Sequence, residues 1–516
     1  MNKIEINLEF KKALELMEKS TMNVFITGKA GTGKSTLLTY FRENTKKKIV
    51  VLAPTGVAAV NIGGQTVHSF FKFKPDITPG KVRKLSGEKS AAIFKKLEAV
   101  IIDEISMVRA DLLDCIDKSL RLNGPNFKKP FGGVQMIFIG DLYQLPPVVT
   151  YRERQLFRDH YQSPYFFSSK VFEKINLEFV ELEKIYRQKD QNFINLLNTI
   201  RNNSAGETEL AMINKRLQPD FEPKIDDFYI YLTPMNQAAD LINQRRLQSL
   251  SGKNYCYKGS VNGDFKPSDL PTSVELDLKI GAQVMLLNND SAGRWINGSI
   301  GQIIKIKKDI PDDEILVKLT SGKLIKVQPY LWELFRFYFD QKNQRVESEI
   351  IGTFYQFPLK LAWALTIHKS QGKTFEKIIF DIDRGTFAAG QVYVALSRAT
   401  SLEGVILKKP IAKKHLFIDW QVVKFLTRFQ YAISEKNLSL ENKVEIIKEA
   451  INNNQTIEII YLKANDTKSR RQIIPKSIGH MEYLDKEYLG IEAFCLSRQE
   501  DRNFRVDRIL EIKIVE

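Results

Sequence analysis

Short runs of continuous apolar residues alternate, over the first 145 positions, with stretches in which apolar residues recur every three to four positions. The second pattern predicts helices at 8–19, from Lys34 onward and at 110–121. The first pattern predicts strands buried on both faces, and four such runs occur: VFIT (24–27), IVVLAP (49–54), AVIID (99–103) and MIFIGD (136–141). Strands and helices alternating in this way predict an α/β fold around a parallel sheet, with the polar stretch 72–90 as an insertion.

The same alternation returns in a second unit from Tyr229 onward. Its predicted strands or strand-end loops are YIYLTP (229–234), ALTIHKSQGKT (364–374), IIFDI (378–382) and VYVALSRA (392–399). Residues 281–357 interrupt this unit with short strands joined by Gly, Asn and Ser-Gly turns. That interruption predicts a small antiparallel barrel.

The last part of the chain has a third pattern. A basic, aromatic bridge at 408–436 leads to a short predicted helix at 443–452. Strands with alternating apolar residues follow it: IEIIYL (457–462), RQIIPK (471–476), EYLGIEAF (487–494) and ILEIKIV (509–515). We therefore predict a separate small α+β domain in this part.

Composition narrows the class of protein. The chain has 516 residues, which corresponds to about three or four domains. Its 43% hydrophobic and 10% aromatic content exclude an intrinsically disordered chain. No apolar run approaches the roughly 18 residues that cross a bilayer, and the start of the sequence lacks a signal-peptide core. Three widely separated cysteines form no disulfide framework or zinc motif, so we expect a cytoplasmic protein.

The charge indicates a partner. The chain carries 77 Lys and Arg against 61 Asp and Glu, a formal net charge of +16, so a polyanion is the first partner to consider. Charge alone does not separate nucleic acid from a membrane surface, and a basic protein without a polyanion partner is the alternative. Residues 437–516 hold 13 basic and 14 acidic residues and balance at −1, whereas residues 1–436 carry +17. The excess therefore belongs to the first two units.

A complete GxxxxGK[ST] segment runs from Gly28 to Ser35, between the first predicted strand and the next helix. Glycines let backbone N–H groups turn around phosphate oxygens, and the helix N-terminus adds a favourable dipole. We expect Lys34 to reach the β- and γ-phosphates and Ser35 to ligate Mg²⁺. The residues predicted to hold the nucleotide are Gly28, Ala30, Gly31, Thr32, Gly33, Lys34, Ser35 and Thr36. The alternative is a glycine-rich turn without a ligand.

Two further segments follow apolar strands and carry candidate catalytic groups. Asp103 ends one strand, where a Mg²⁺-binding carboxylate is expected, and Glu104 beside it would orient or deprotonate the attacking water. Taken alone, such a pair is more often a solvated helix cap, but the phosphate loop favours catalysis. Gln144 follows the next strand and could bridge the γ-phosphate to the water; without that context it is a polar loop residue.

Arg187 and Arg398 are candidate transition-state clamps. They lie in Tyr186-Arg187-Gln188 and in Ala395-Leu396-Ser397-Arg398. Hydrolysis develops negative charge on the γ-phosphoryl oxygens, so cations supplied from a second lobe would couple lobe closure to chemistry. Because the chain has 77 basic residues, spacing alone does not single these two out.

Taken together, these segments resemble the Pif-like branch of the superfamily 1B DNA helicases. The resemblance covers about residues 8–425 and rests on an ordered set of motifs. They are GKAGTGKS (28–35), APTGVAA (53–59), TVHSFF (66–71), IIDEISMV (101–108), DLLD (111–114), SLRLN (119–123), GDLYQLPPV (140–148), TIHKSQGKTF (366–375) and YVALSRA (393–399).

The resemblance implies two RecA-like lobes, residues 1–185 and 186–436, with ATP and Mg²⁺ between them and single-stranded DNA across their tops. It assigns to Lys34, Ser35, Asp103, Glu104, Gln144, Arg187 and Arg398 the roles given above. It implies DNA contacts at Thr55, Gly56, Thr66, His68, Thr366, His368 and Ser370. The insertion at about 72–95 would be a wedge that splits the duplex, and 281–357 an SH3-like barrel.

One segment departs from the family. Relatives often carry an adenine-reading glutamine near the start, whereas this chain has Glu9-Phe10-Lys11 there, with Lys11 in place of the glutamine. A strict preference for ATP over other triphosphates is therefore not implied.

The tail, residues 437–516, resembles a WYL domain. The resemblance rests on IEIIYL (457–462), Tyr488-Leu489 and NFRVDRI (503–509), although Glu487 stands where the naming tryptophan is expected. Such domains are Sm-like barrels associated with binding nucleic acid or another ligand. The candidate ligand site is an arginine cluster: Arg470, Arg471, Arg498, Arg502, Arg505 and Arg508. The alternative is that several of these pair with Asp501 and Asp507 to hold the barrel together.

We therefore expect an ATP-driven DNA helicase; its 5′→3′ polarity is implied by the resemblance alone. The expected partners are single-stranded DNA and tailed or forked duplexes, with G-quadruplexes and RNA–DNA hybrids as further substrates. We expect an active monomer without a membrane partner and a role in DNA repair, recombination or telomere-type maintenance. The alternatives are a nuclease- or relaxase-associated motor, for which 516 residues leave no room, a nucleotide-switched regulator, and a passive single-strand binder.

Overall fold

The computed structural model describes residues 6–515, apart from positions 75, 86–87, 150–152, 154–156, 158, 266, 268–269, 291, 309–312, 341–344, 383–384, 386–387 and 484–485. The chain divides into two compact units. One comprises residues 1–198 and 206–416, and the other comprises residues 199–205 and 417–516.

A six-stranded sheet organises the first part of the chain. Its strands are β1 (Asn23–Gly28), β2 (Ile49–Ala53), β3 (Gln65–Thr66), β4 (Ala99–Ile102), β5 (Gln135–Ile139) and β6 (Leu177–Leu182). They lie in the order β3-β2-β4-β5-β1-β6, and every neighbouring pair is parallel. The prediction of a parallel α/β sheet is confirmed. Because parallel strands end at the same edge, the polar residues after β1, β4 and β5 meet there.

Helices cover this sheet and bury apolar residues against it. They are Leu8–Lys19, Lys34–Asn44, Gly56–Asn61, Val67–Phe71, Glu88–Lys96 and Ala110–Asn123. The predicted insertion at 72–95 contains a 3₁₀ turn, Pro79–Lys81, and most of the helix Glu88–Lys96. Phe94 of that helix packs against Phe70 and Phe71 at ring-centroid distances of 5.1 and 5.7 Å. The insertion is thus anchored to the lobe by aromatic packing.

A second, four-stranded parallel sheet follows. Its strands are β7 (Ile230–Thr233), β18 (Ala364–Thr366), β19 (Ile378–Phe380) and β20 (Val405–Leu407), in the order β18-β7-β19-β20. Helices Gln191–Arg201, Glu207–Asn214 and Asn236–Ser249 belong to the same region of sequence. The prediction of a strand or strand-end loop at 392–399 is wrong, because Gln391–Leu396 is a helix. All six of its residues are buried, and a helix that is apolar all round has no polar face to reveal its period.

Antiparallel strands fill the region between β7 and β18. They are β8 (Tyr255–Lys258), β9 (Ser260–Gly263), β10 (Glu275–Leu278), β11 (Gln283–Leu286), β12 (Ile300–Lys307), β13 (Glu314–Leu319), β14 (Leu324–Val327), β15 (Tyr330–Asp340), β16 (Arg345–Gln356) and β17 (Leu359–Leu361). Five of them form the sheet β14-β13-β12-β11-β17. Trp295, Val284 and Leu359 are buried in its core. The antiparallel pattern agrees with the prediction, and the SH3-like identity of this insertion stays a prediction.

The second unit has its own core. It contains helices Trp420–Asn437 and Leu440–Asn452 and the strands β21 (Ile457–Leu462), β22 (Lys468–Tyr483), β23 (Lys486–Cys495), β24 (Glu500–Arg505) and β25 (Ile509–Ile514). The five strands form an antiparallel sheet in the order β24-β23-β22-β21-β25. Sequence reasoning missed β24 as a strand, since EDRNFR is almost entirely polar. The domain boundary at 436/437 stays a prediction, although the compact unit already includes the helix from Trp420.

Among the described residues, no helix combines the length and apolar character required to span a bilayer. Cys115, Cys256 and Cys495 are all free thiols, as their spacing predicts.

Candidate functional site

The phosphate loop turns between β1 and the helix that begins at Lys34. Gly28, Gly31 and Gly33 all have positive φ, at 154°, 84° and 88°. A Cβ atom on Gly31 would lie 2.6 Å from the Cβ atom of Arg187, so the loop passes closer to that arginine than any other residue permits. Glycine is therefore required here by both backbone conformation and packing.

The loop holds its own lysine in place. Lys34 Nζ donates to the carbonyl oxygens of Gly28 and Lys29 at 2.7 and 3.0 Å. Thr32 Oγ1 donates to the same Lys29 carbonyl at 2.9 Å. The ammonium thus lies within the loop, where phosphate oxygens can replace the two carbonyls as its acceptors.

Asp103 and Glu104 follow β4 at the same edge of the sheet. Glu104 adopts the left-handed conformation (φ 50°, ψ 43°), which is uncommon for a residue with a side chain and often marks a functional site. Its amide donates to Asp103 Oδ1 at 2.9 Å. Burial, with the neighbouring charge of Asp103, raises the pKa of Glu104 to about 7. A carboxylate that titrates near neutrality suits a proton acceptor.

Gln144 is held by the aspartate that follows β5. Gln144 Nε2 donates to Asp141 Oδ2 at 3.2 Å, and the Tyr143 amide donates to Asp141 Oδ1 at 3.1 Å. Gly390, which precedes the helix Gln391–Leu396, lies against this loop; a Cβ there would be 2.3 Å from the Tyr143 carbonyl oxygen. The loop that carries Gln144 is thus in direct contact with the backbone of the second sheet's region.

The two candidate arginines lie side by side. Arg187 Nη1 donates to the carbonyl of Ser397 at 3.0 Å, and Arg398 Nε donates to the carbonyl of Val394 at 2.9 Å. Arg398 is 1% exposed. Burial and then the charge of Arg187 lower the pKa of Arg398 to about 9, and burial lowers the pKa of Arg187. Within the described part of the chain no carboxylate forms an ion pair with either guanidinium, so both keep donors for an anion.

These groups share one cavity of about 670 Å³. The predicted residues that line it are Ala30, Gly31, Thr32, Gly33, Lys34, Ser35, Thr36, Asp103, Glu104, Gln144, Arg187 and Arg398. Gly28 lies outside it and contributes the carbonyl that holds Lys34. The volume lies within the range of small-molecule sites.

Sequence reasoning missed five lining residues: Phe10, Gly140, Tyr186, Gly372 and Thr374. Of the segment Glu9-Phe10-Lys11, the structure places Phe10 in the cavity, whereas Lys11 is exposed. Phe10 is almost fully buried on the inner face of its amphipathic helix. The one sign in the sequence that Phe10 points inward is the helical spacing of apolar residues at 8–19, which puts Phe10 and Ala13 on the buried face.

The donor set of the cavity fits Mg²⁺. The Ser35 hydroxyl and the Asp103 carboxylate are hard oxygen donors on one wall. Among the described residues, no group of three or more His, Cys, Asp or Glu side chains could hold a metal by itself. A hydroxyl and a single carboxylate suit an ion that takes its other ligands from phosphate and water.

The residues of the predicted DNA motifs lie at the ends of strands or in the segments directly after them. Thr66 caps the helix Val67–Phe71 by accepting from the Ser69 amide at 3.1 Å, and Thr55 accepts from the Ala58 amide at 3.3 Å, beside Gly56. His68 lies in the short helix that Thr66 caps.

The third predicted motif is more buried. Thr366 is 3% exposed and accepts from the Lys369 amide, and Ser370 is fully buried and donates to the Ile367 carbonyl at 2.7 Å. Burial also lowers the pKa of His368. Thr366 and Ser370 thus organise their own loop, and contact of these motifs with DNA stays a prediction.

The tail arginines divide into those that form an ion pair and those that form none with a described residue. Arg470 pairs with Glu458, Arg502 with Glu500 and Arg505 with Asp507, at 3.6, 2.5 and 2.6 Å. Asp501 pairs with Lys476 rather than with an arginine.

Two of the remaining arginines gather beside Lys463. Arg471 Nη1 donates to Ser497 Oγ at 3.0 Å. Burial, followed by the charges of Arg471, Arg498 and Arg502, lowers the pKa of Lys463. Arg471, Arg498 and Arg508 have no ion pair within the described residues. The structure therefore brings together part of the predicted cluster, centred on Arg471 and Arg498.

Known proteins resemble this chain in sequence and in fold. The family model described as PIF1-like helicase matches residues 5–210, and that of the WYL domain matches residues 442–514. The ATP-dependent DNA helicase Pif1 of Bdellovibrio bacteriovorus is 33% identical over 443 residues, which cover 83% of this chain and 93% of that protein. The crystal structure of Bacteroides sp Pif1 in complex with ADP-AlF4 has 37% identity and a TM-score of 0.76, covering 83% of this chain and 97% of that one. Bacteroides Pif1 bound to ssDNA has 37% identity and a TM-score of 0.60, with coverage of 82% and 96%.

Proposed function

The chain belongs to the PIF1-like helicase family, and we propose that it is an ATP-dependent helicase that moves 5′→3′ along single-stranded DNA and unwinds duplexes. The observation that carries this proposal is the cavity in which Lys34 and Glu104 face Arg187 and Arg398. A passive single-strand binder has no need of a proton acceptor opposite two buried guanidinium groups. We assign residues 1–185 and 186–436 to two lobes and residues 437–516 to a WYL domain.

ATP would enter with its phosphates in the loop from Gly28 to Ser35. Lys34 would exchange its two carbonyl acceptors for phosphate oxygens, and Ser35 and Asp103 would hold Mg²⁺, which neutralises phosphate charge. Glu104 would take the proton of the attacking water, whose oxygen bonds to the γ-phosphorus as the bond to the bridging oxygen breaks. Gln144 would orient that water, with Asp141 holding its amide.

Arg187 and Arg398 would stabilise the charge on the γ-phosphoryl oxygens. Both contact the segment around Ser397, so movement of that segment would carry both cations toward or away from the phosphate. Closure of the lobes on ATP and their opening after hydrolysis would alternate the grip on DNA. A step of one nucleotide separates one base-pair step, about 1.4 kcal/mol on average, which is well within the free energy of one ATP.

Phe10 would contribute an apolar wall to this cavity, since it is 4% exposed and packs in the core beneath the first helix. No glutamine from the segment Glu9-Phe10-Lys11 is present to read the edge of adenine, which supports a nucleotide preference looser than in relatives with the glutamine.

The DNA partners would be single strands and tailed or forked duplexes, held by the loops at Thr55, Thr66 and Thr366. G-quadruplexes and RNA–DNA hybrids would be further substrates, and the active form would be a monomer. DNA repair, recombination and telomere-type maintenance are the processes in which such substrates arise. The insertion at 72–95 would act as the wedge, supported on Phe70 and Phe71.

The WYL domain would be an accessory module that binds nucleic acid or regulates the motor. Its net charge of about −1 gives no general attraction to DNA, so binding would depend on the local cations Lys463, Arg471 and Arg498.

ATP hydrolysis measured with and without single-stranded DNA tests the proposed function. We expect strong stimulation by DNA, loss of activity in Lys34→Ala, and unwinding only of duplexes with a 5′ tail. A hydrolysis rate that DNA leaves unchanged would instead support a nucleotide-switched regulator, and unwinding from 3′ tails alone would contradict the polarity.

A further inference from the structure

An exposed aromatic side chain lies in the loop 124–134, which joins the helix Ala110–Asn123 to β5. Phe127 is 69% exposed, and none of the roles described so far uses it. Because the loop precedes β5, it lies at the edge of the sheet opposite to the phosphate loop and to the segments at Thr55 and Thr66. One exposed apolar side chain is ordinary on a soluble protein, so its significance depends on how it is held and what surrounds it.

The backbone that carries Phe127 is held by several contacts. The Phe131 amide donates to Asp117 Oδ1 at 2.6 Å, and the Phe131 side chain is fully buried. The carbonyl oxygen of Phe127 accepts from Arg121 Nε at 3.2 Å. Phe131 also takes the left-handed conformation (φ 51°, ψ 26°), which a residue with a side chain adopts where its surroundings enforce it. The loop is therefore preorganised, and binding a partner would cost it little conformational entropy.

Cations lie around the ring. Lys128 Nζ is 5.8 Å from the centre of the Phe127 ring, and Lys129 is exposed at the next position. No described residue forms an ion pair with either lysine. Arg121 pairs with Asp117 at 3.7 Å, so this carboxylate compensates the arginine and leaves the two lysines available to an anion.

The insertion at 72–95 packs beside this loop. Lys118 Nζ donates to the Pro79 carbonyl oxygen at 2.6 Å, and the Leu85 amide donates to Asn123 Oδ1 at 2.9 Å. Both contacts join the insertion to the last turns of the helix that leads into the loop. The insertion and the loop therefore form one continuous surface.

This surface is strongly basic. Residues 72–95 include seven basic and two acidic residues, and residues 118–134 include four basic residues and no acidic one. Of the two acids, Asp76 already pairs with Lys81. A local excess of this size attracts a polyanion, and nucleic acid is the polyanion that the proposed function brings to the insertion.

An exposed phenyl ring among cations suits a single strand better than a duplex. Aromatic side chains stack on the bases of single strands while cations neutralise the backbone phosphates. The bases of a duplex are stacked on one another, so a duplex would offer phosphates to Lys128 and Lys129 but no base to Phe127.

A motor that splits a duplex at the insertion produces two single strands. The strand that it tracks is assigned above to the segments at Thr55, Thr66 and Thr366. The other strand is released beside the insertion, where Phe127 lies at the opposite edge of the sheet. The two strands would thus leave the junction along different surfaces.

We propose that the loop 124–134 binds the displaced strand, with a base stacked on Phe127 and phosphates held by Lys128 and Lys129. This inference rests on the proposed helicase function, for which it names a site for the strand that the motor does not track. Binding the displaced strand at this site opposes its return to the duplex, so base pairs that have been separated stay open.

The experiment compares two duplexes, one with a 5′ tail alone and one that also has a 3′ tail on the other strand. The full chain should bind the forked duplex about tenfold more tightly, the contribution of one stacked base. Phe127→Leu keeps an apolar side chain but removes the aromatic face, so it should lose most of this difference and bind the 5′-tailed duplex normally. Phe127→Trp provides a larger face and should keep the difference.

The salt dependence of binding tests the two lysines. Replacing Lys128 and Lys129 together with glutamine should reduce the slope of log K against log salt by about 1.4 on the forked duplex, two phosphate contacts on a single strand. The slope on the 5′-tailed duplex should not change. The matched control replaces Lys253, which lies 5.4 Å from the ring centre of Tyr255, and the exposed Lys305; both slopes should equal those of the unmodified chain.

Stacking has its own readout. A 2-aminopurine base in the 3′ tail, next to the junction, should lose fluorescence when the unmodified chain or Phe127→Trp binds, and should keep it with Phe127→Leu. A merely structural role of Phe127 would not produce this pattern.

Equal losses of affinity for both duplexes would mean that the loop holds the duplex or the tracked strand, and unchanged affinity for both would exclude DNA from this surface. Either result overturns the inference. The helicase function is tested separately, because it fails only if the unmodified chain does not unwind the 5′-tailed duplex with ATP.

Discussion

The hydroxyl of Tyr393 accepts a hydrogen bond from the backbone amide of Ala30 at 2.9 Å, so the helix Gln391–Leu396 contacts the phosphate loop directly. The same hydroxyl donates to Asp141 Oδ2 at 3.4 Å, and Asp141 in turn holds Gln144. One phenol therefore joins the phosphate loop, the Gln144 loop and the helix that leads to Arg398.

Tyr393→Phe keeps the ring and removes these hydrogen bonds. Because the Ala30 amide and the Gln144 loop lose a shared anchor, we expect kcat for DNA-stimulated hydrolysis to fall about tenfold while KM for ATP changes little. Steady-state kinetics with saturating DNA measures this split. Tyr229→Phe is the control, since that hydroxyl lies outside the cavity; equal losses in both variants would contradict a positioning role.

Gly31→Ala should weaken nucleotide binding by about 10- to 100-fold, because a methyl group would lie 2.6 Å from Arg187 Cβ at a φ of 84°. The added group strains the loop and displaces the arginine at once. Calorimetric titration with a non-hydrolysable ATP analogue measures the loss. Gly80→Ala, at an exposed position where the nearest atom would be 3.9 Å away, should bind normally.

Hydrolysis should depend on pH through Glu104, whose pKa is raised to about 7, chiefly by burial. A carboxyl group with a raised pKa is protonated below that value and cannot accept a proton there, so kcat/KM, which reports the enzyme without nucleotide, should increase between pH 6 and 8. Glu104→Gln should abolish hydrolysis at every pH. The control is a variant that keeps Glu104 but whose ATP hydrolysis is not stimulated by DNA. A pH profile of the same shape in this variant would show that the pH dependence arises in the hydrolysis reaction and not in DNA binding.

The raised pKa of Glu104 also affects stability, which should decrease with pH whereas hydrolysis increases. Folding must ionise Glu104 in a buried place above about pH 7, so stability is highest at low pH and is lost as pH rises through the folded-state pKa. Without nucleotide or metal, Glu104→Gln should raise the free energy of unfolding at pH 8 by on the order of 2 kcal/mol and change little at pH 4.5. Urea denaturation at the two pH values tests this, and a destabilised variant at pH 8 would contradict it.

Arg398→Lys should lower kcat by on the order of 100-fold or more while ATP still binds, because a lysine keeps the charge but cannot replace the forked donors. Arg398 holds its place through the Val394 carbonyl and Ser397 Oγ, both at 2.9 Å. Single-turnover hydrolysis separates the chemical step from binding. Arg216→Lys, at another arginine that donates to backbone carbonyls, is the control and should hydrolyse ATP normally.

Replacing Arg471 and Arg498 together with alanine should reduce the salt slope of DNA binding by the full chain by about 1.4, two phosphate contacts on a single strand. The matched control replaces Arg470 and Arg505, which lose the same charge but are held by Glu458 and Asp507. Equal effects in the two double variants would indicate a general charge effect and contradict a specific cluster.

The nucleotide cavity was predictable where its residues are adjacent in sequence. The segment from Gly28 to Ser35 and the pair Asp103-Glu104 each follow an apolar strand, and parallel strands bring such ends together. Tyr393 escaped prediction as a partner of the phosphate loop because it meets Ala30 across 363 positions.

The prediction of secondary structure failed where polar and apolar residues do not alternate with a helical or strand period. The helix Gln391–Leu396 is buried on every side, and β24 is polar at nearly every position, so neither shows the alternation that distinguishes helix from strand. The left-handed conformation of Glu104 was equally hidden, because only tertiary packing forces a residue with a side chain into it.

The neighbouring guanidinium groups of Arg187 and Arg398 give the empty cleft an electrostatic character of its own. Burial, and then the charge of Arg187, lower the pKa of Arg398, so holding the two cations together without an anion costs free energy. We therefore expect a bound phosphoryl group to act as the shared counter-ion of both cations. Its departure would leave the pair without a counter-ion and so remove the attraction that holds the second-lobe arginines at the phosphate loop.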